Sequence, residues 1–165
     1  MKMNIPYKTV LFVVAALAMG GYFYKKYFIA PKISFPNLTI YDLEGKAHQL
    51  DEFKGKPVLV NFWATWCGTC LQEMPELYDA SKILKEKGIE TILISDETQE
   101  KVRNYQDKSG YDFQYFTTKL DREDLKIYSI PTTYLMDKNG NVVFSKVGKE
   151  RWSSPEMIKS LIDKL

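Results

Sequence analysis

Cys67 and Cys70 are the only cysteines in the chain of 165 residues, and Gly68 and Thr69 stand between them. Cysteines used to staple loops or fill a core are scattered along a sequence. A pair at this spacing can close a small disulfide ring and reopen it, which is two-electron redox chemistry. The thiolate is the attacking species, and a free thiol titrates near about 8.5. Residues 58–64 (VLVNFWA) precede the pair as a near-continuous apolar run, the pattern of a strand buried on both faces. Residues 67–87 read as a helix closed by Gly88. Cys67 therefore falls where a helix begins, and the unpaired N–H groups and positive dipole end there favour a thiolate. Cys67 is the candidate attacking thiol. Cys70, one turn further and deeper, is the candidate resolving thiol, and the two form the candidate redox disulfide.

Other uses of two cysteines fit less well. A structural disulfide across a two-residue loop removes little chain entropy and so stabilises little. Four zinc ligands cannot be drawn from two cysteines and the single histidine, His48. His48 lies in a predicted hairpin and reads as a surface residue. A c-type haem attachment requires a histidine directly after the second cysteine, and Leu71 stands there. Neither a metal nor a cofactor is implied.

The elements that must position the pair follow from hydrophobic period and turn chemistry. Residues 38–40 and 47–50 flank Glu44-Gly45 as a hairpin. After the helix, residues 89–95 (IETILIS) form a second buried strand, 98–108 a polar helix ended by Ser109-Gly110, and 113–116 a short strand. A short helix is expected over 121–128 and a strand over 132–137. Asn139-Gly140 then turns the chain into a returning strand over 142–147. The terminal helix runs over 155–165, capped by Ser153 or Ser154. Strands alternating with helices, then a hairpin and a last helix, make a layered α/β sandwich. The cysteine pair sits at the carboxyl end of a central strand, where sites collect in such sheets.

The N-terminus is of another kind. Residues 9–24 (TVLFVVAALAMGGYFY) carry no charge, and Lys8, Lys25 and Lys26 bracket them. Sixteen helical residues reach about 24 Å, short of a ~30 Å hydrocarbon core, but the lysines can snorkel and Tyr22, Tyr24 and Tyr27 suit the interface. The expectation is a single-pass anchor. A cleaved signal peptide is the alternative, with Ala16-Leu17-Ala18 as a small-x-small site. Lysines on both sides leave the orientation undecided by charge. The expected organisation is an anchor with flanks over 1–29, a linker over 30–36 and a folded domain over 37–165. Residues 1–29 hold four lysines and no acid, so the remaining 19 basic and 21 acidic residues leave the rest slightly acidic despite the overall charge of +2. No clustered basic face for nucleic acid is expected. The runs Lys82-Lys85-Lys87 and Lys146-Lys149-Arg151 read as solvated faces.

Trp66-Cys67-Gly68-Thr69-Cys70 follows an apolar strand, and Ile130-Pro131-Thr132-Thr133 precedes a strand and an Asn-Gly hairpin. In these features the chain resembles the thioredoxin superfamily. More narrowly, it is similar to the membrane-anchored TlpA/ResA-like thiol-disulfide oxidoreductases. The resemblance covers about residues 34–165, and Val60-Asn61-Phe62-Trp63-Ala64-Thr65-Trp66-Cys67 is its most specific phrase. It implies a thioredoxin fold: a central mixed β-sheet flanked by helices, with an N-terminal β-hairpin and an αβ insertion over roughly 98–116, preceded by one transmembrane helix. It implies that Pro131 is the cis-proline facing the cysteines, with Ile130 beside it presenting backbone to substrate. It implies that Glu73 is an acid near the site that tunes thiol ionisation, with an exposed helix charge as the alternative. Pro75 stands where the active-site helix of the family bends. Asn61 occupies the place of a buried Asp in plain thioredoxins, a departure that fits the narrower branch. Trp66 is expected in the substrate-binding surface and Trp63 in the core.

The resemblance also implies a setting: a domain on the extracytoplasmic or periplasmic side of the cell membrane. The expected activity is reduction of disulfides in exported proteins, apocytochrome c among them, with electrons supplied by a membrane thiol partner. The fold alone does not set the redox direction, so an oxidant or isomerase stays open. A peroxiredoxin would need Thr three residues before its cysteine, where Ala64 stands. A copper metallochaperone of this fold would need a distal histidine, and none follows His48.

Overall fold

The computed structural model describes residues 6–32 and 38–165. Its elements are α1 (Tyr7–Phe28), β1 (Thr39–Tyr41), β2 (Ala47–Gln49), a 3-10 turn (Leu50–Phe53), β3 (Val58–Phe62), α2 (Gly68–Glu86), β4 (Glu90–Ser95), α3 (Gln99–Ser109), β5 (Gln114–Thr117), β6 (Thr132–Met136), β7 (Val142–Val147) and α4 (Pro155–Ile162). The expected linker over 30–36 falls largely outside the described residues.

One seven-stranded sheet runs β2-β1-β5-β4-β3-β6-β7. β3 pairs parallel with β4, and β4 parallel with β5. β6 runs antiparallel to β3, the Asn139-Gly140 hairpin returns β7 antiparallel to β6, and the β1–β2 hairpin closes the other edge. β3 is buried throughout, so its alternation sorts side chains between two cores. Leu59 and Trp63 enter the core built with α2, α3 and α4, through Met74, Leu77, Leu84, Val102, Ile158 and Leu161. Val58, Val60 and Phe62 enter the other, with Ile40, Ile92, Ile94, Tyr134 and Ile127.

Local chemistry explains the ends of the helices. Thr98 caps α3 by accepting from the Lys101 N–H, and Gly110 at φ 71° ends it. Ser154 caps α4 by accepting from the Met157 N–H. Gly88 at φ 76° turns the chain from α2 into β4.

The segment 121–128 departs from expectation. It is a series of turns, not a helix. Asp121 accepts from Asp124 and Leu125, but the Ile127 N–H goes to Arg122 and Lys126 takes a left-handed φ of 60°. A stretch this short does not repay the cost of helix nucleation. Burying Ile127 and drawing Arg122 to Asp96 decide its path instead.

α1 also exceeds its expected span. It covers 22 residues, about 33 Å at 1.5 Å per residue, enough for a hydrocarbon core. It is apolar enough to cross a membrane and none of it is buried in the protein.

Candidate functional site

Cys67 caps α2 from the position just before its first residue. Its Sγ accepts from the Cys70 N–H at 3.2 Å, so the helix start is wrapped around this sulfur. The two cysteines are joined in a disulfide, with Cα atoms 5.2 Å apart. Cys67 retains 7% of its surface and Cys70 none. The sulfur open to a partner is thus that of Cys67.

The second arm comes from the loop that enters β6, the strand next to β3. The Ile130–Pro131 peptide is cis, and the Ile130 carbonyl oxygen lies 3.7 Å from Cys67 Sγ. A disulfide sulfur has no hydrogen to donate, so this is a contact. It places the Ile130 backbone beside the sulfur of Cys67. Pro131 begins the approach to β6, whose Thr132 and Thr133 pair with Phe62 and Asn61 of β3.

Glu73 is fully buried, which removes the reading of an exposed helix charge. Its Oε1 accepts from Asn61 Nδ2 at 3.1 Å, and its Oε2 from Trp152 Nε1 at 3.0 Å and the Glu150 N–H at 3.3 Å. Burial pushes its carboxyl above the usual carboxylate range, and those three donors oppose the shift without cancelling it. Asn61 also donates to Thr133 Oγ1 at 2.9 Å, which links β3, α2 and β6. Its Oδ1 is buried without a hydrogen-bond partner among the described residues.

Trp66 is 62% exposed beside Cys67, whereas Trp63 is wholly buried. Trp63 packs on Tyr105 and Tyr115, with ring centroids 4.8 and 5.7 Å away. The Arg122 guanidinium lies 5.0 Å from the Trp66 ring centroid, and Asp96 Oδ2 holds Arg122 Nε at 2.6 Å. Trp66, Arg122 and Tyr128 line a cleft next to the cysteines.

Glu97, a residue that sequence reasoning missed, fastens the loop that carries Trp66 and Cys67. Its carboxylate accepts from the Thr65 N–H at 2.6 Å and from Thr65 Oγ1 at 2.9 Å. The available signal was position, since an acid two residues after a buried strand stands at the carboxyl end of the sheet. Trp152 was missed as well, because nothing local in the sequence ties it to Glu73.

His48 lies half-buried at the surface of the hairpin. Its side chain is 19% exposed, with Nε2 3.0 Å from Asp42 Oδ2 and Nδ1 3.0 Å from Glu52 Oε2. β-pairing opposite Ile40 sets the ring 5.7 Å from that of Phe116. It belongs to the hairpin and not to the cysteine site.

Comparison with known proteins agrees with this architecture. The Redoxin family model matches residues 30–161. The thiol-disulfide oxidoreductase ResA of Bacillus cereus (strain ATCC 10987 / NRS 248) is 35% identical over 160 residues, covering 90% of this chain and 91% of that protein. The crystal structure of a thiol:disulfide interchange protein of the thioredoxin family from Chlorobium tepidum TLS superposes with a TM-score of 0.63 at 25% identity, covering 81% of this chain and 98% of that one. StoA from Bacillus subtilis shares the fold, with a TM-score of 0.63 at 20% identity over 80% of this chain and 99% of that one. A thioredoxin fold that carries a Cys67–Cys70 disulfide at a helix start, over a chain that matches Redoxin across most of its length, belongs to the Redoxin family and is a thiol-disulfide oxidoreductase of the ResA type.

Proposed function

We propose that the protein reduces disulfides of exported proteins, with Cys67 as nucleophile and Cys70 as resolving thiol. The observation that carries this reading is the seat of Cys67 Sγ: at the start of α2, accepting from the Cys70 N–H, and 3.7 Å from the Ile130 carbonyl. In the reduced protein, the N–H donor and the helix dipole favour the thiolate at Cys67. That thiolate attacks one sulfur of the substrate disulfide. A mixed disulfide forms, and the other substrate sulfur leaves as a thiolate. Cys70, deprotonated, then attacks Cys67 Sγ. The second substrate thiolate leaves, and the Cys67–Cys70 disulfide is restored. Two electrons have passed to the substrate.

Backbone beside Pro131, at Ile130, aligns an extended substrate strand, and the exposed Trp66 supplies apolar contact. Glu73 acts by tuning, since its partners are Asn61, Trp152 and Glu150. A buried acid one turn beyond Cys70 raises the cost of a second negative charge nearby when ionised.

Residues 1–29 anchor the chain and 37–165 form the working domain, held on the extracytoplasmic side of the cell membrane. The lysines that bracket the uncharged run 9–24 within α1, and the helix's length of 22 residues, support the anchor. A dithiol of a membrane protein returns the electrons. Apocytochrome c is a fitting substrate, as an exported protein that must be kept reduced.

Equilibration of the full chain in detergent with defined thiol buffers tests the direction. A potential near or below about −270 mV makes the dithiol a strong donor, whereas one near about −120 mV would make the protein a disulfide donor and overturn the reading. Cys67→Ser abolishes turnover of a protein disulfide in this scheme, and Cys70→Ser accumulates the mixed disulfide.

A further inference from the structure

The end of α1 rests on the segment that leads into the cysteine site. Lys26 Nζ lies 4.5 Å from the centre of the Tyr128 ring, and the Tyr27 ring is 6.3 Å from it, edge on. Further along, Ala30 packs on the core that holds Tyr134 and Ile127, and the Pro31 carbonyl accepts from Tyr134 Oη at 3.1 Å. Four residues between 26 and 31 thus touch the domain. Tyr128 is two residues before Ile130, whose carbonyl touches Cys67 Sγ, and it lines one cleft with Trp66. Two residues span at most about 7 Å of extended chain. A domain of about 130 residues has a radius of gyration near 14 Å and is roughly 35 Å across, so an attachment point chosen at random would usually lie much further from the thiol.

Lys25 and Lys26 occupy the last turn of α1, with Tyr24 and Tyr27 beside them. Lysines and tyrosines at the end of an apolar span mark the headgroup level of a bilayer. Tyr128, in contact with Lys26 and Tyr27, then stands at that level too.

On the reading of α1 as a retained anchor, we infer that its docking on Tyr128 turns the Trp66–Cys67 face toward the bilayer. The surface around Cys67 is then a membrane-facing surface. The partner it fits is a protein that presents its cysteines at the headgroup layer. The opposite end of α2 points into solvent. α2 has 19 residues, so its ends are about 28 Å apart.

Depth measurement in vesicles of phosphatidylcholine and phosphatidylglycerol tests this. Full chain with Cys67→Ser and Cys70→Ser receives one bimane-labelled cysteine, at Thr69→Cys beside the site or at Lys87→Cys at the far end of α2; both positions are exposed. Headgroup-nitroxide lipid is expected to quench the Thr69 probe and spare the Lys87 probe. Adding Lys26→Ala and Tyr128→Ala is expected to erase that contrast. The chain with its native cysteines gives a second reading without any probe. Trp63 and Trp152 are wholly buried, so its nitroxide-quenchable fluorescence comes from Trp66, with Trp66→Phe as control. Equal quenching at both probes, quenching at neither, stronger quenching at Lys87, or a contrast that survives the double substitution would each overturn the inference. Flotation with the vesicles separates the two readings. A chain that fails to float overturns the anchor and this inference together. A chain that floats without the contrast overturns the inference alone.

Discussion

Glu73 of α2 accepts the indole N–H of Trp152 at 3.0 Å, although the two lie 79 positions apart in the chain. Both side chains are fully buried. The bond ties the cysteine helix to the turn that introduces α4. Trp152→Phe keeps an aromatic ring and deletes the donor. We expect a loss of about 1–3 kcal/mol, the cost of a buried carboxyl with one partner fewer, read by denaturant unfolding. Its second effect is to raise the Glu73 carboxyl further, because an opposing donor is gone.

The titration of Glu73 has a definite sign. Burial raises its folded value above the 4.5 of the free side chain. The folded state therefore holds the proton more tightly than the unfolded one. This contribution to stability is fully present below about 4.5 and is lost as pH rises through the folded value. Glu73→Gln removes that titration. Melting temperatures of the two chains across acid to neutral pH should diverge over that window, with the variant flatter. Parallel profiles would contradict the assignment.

Glu97 and Thr65 make the loop before Cys67 rigid through two hydrogen bonds to one carboxylate. Glu97→Ala leaves the Thr65 N–H without its acceptor. The expected cost is about 1–3 kcal/mol, together with a slower reaction of Cys67 with a protein disulfide. Stopped-flow reduction of a fluorescent disulfide substrate reads the second effect.

His48 bridges two carboxylates, and both ring nitrogens must carry hydrogen to serve both. The bond to Asp42, then that to Glu52, holds the ring above its usual 6.5. The stability it provides is complete below that value and lost as pH rises through the folded one. Its partners respond in the opposite sense. The carboxyls of Asp42 and Glu52 lie below their ordinary values, Asp42 chiefly through His48 and Glu52 chiefly through the Gln49 N–H, so their share is lost on acidification. His48→Ala should flatten thermal stability as pH rises above about 6.5 while leaving activity unchanged. A wild-type profile that is already flat there would count against the clamp.

Trp66 projects from the site with one ring face on Arg122. Trp66→Ala removes contact surface for substrate and no core packing. Stability should stay within about 0.5 kcal/mol. Reduction of a protein disulfide should slow about fivefold, near 1 kcal/mol of lost contact. A small-molecule disulfide, which cannot span the tryptophan, is the control that should be little affected.

Much of this protein is local, and the local parts are legible in its residues. The spacing of Cys67 and Cys70, the apolar run that becomes β3, the Asn139-Gly140 turn, a serine cap at 153 or 154 and the stop at Ser109-Gly110 each encode their structure within a few positions. They establish the alternation of strands and helices and place the cysteines at a helix start, because hydrophobic period and capping act over one or two turns. The apolar segment at the N-terminus is legible for the same reason, although α1 extends beyond the uncharged run to take in Lys8, Lys25 and Lys26.

What only the tertiary structure decided lies in pairs distant along the chain. Whether Glu73 is an exposed charge or a buried acid depends on Trp152 and Asn61, which reach it from α4's approach and from β3. Whether 121–128 forms a helix was settled by the burial of Ile127 and the pull of Asp96 on Arg122, which outweigh the weak preference of so short a segment. Pro131 carries no mark of its isomer, and the cis bond is held where β6 meets β3 beside Cys67. Desolvation, cross-sheet hydrogen bonding and the docking of Tyr27 on Tyr128 depend on which surfaces meet, and that is a property of the folded chain as a whole.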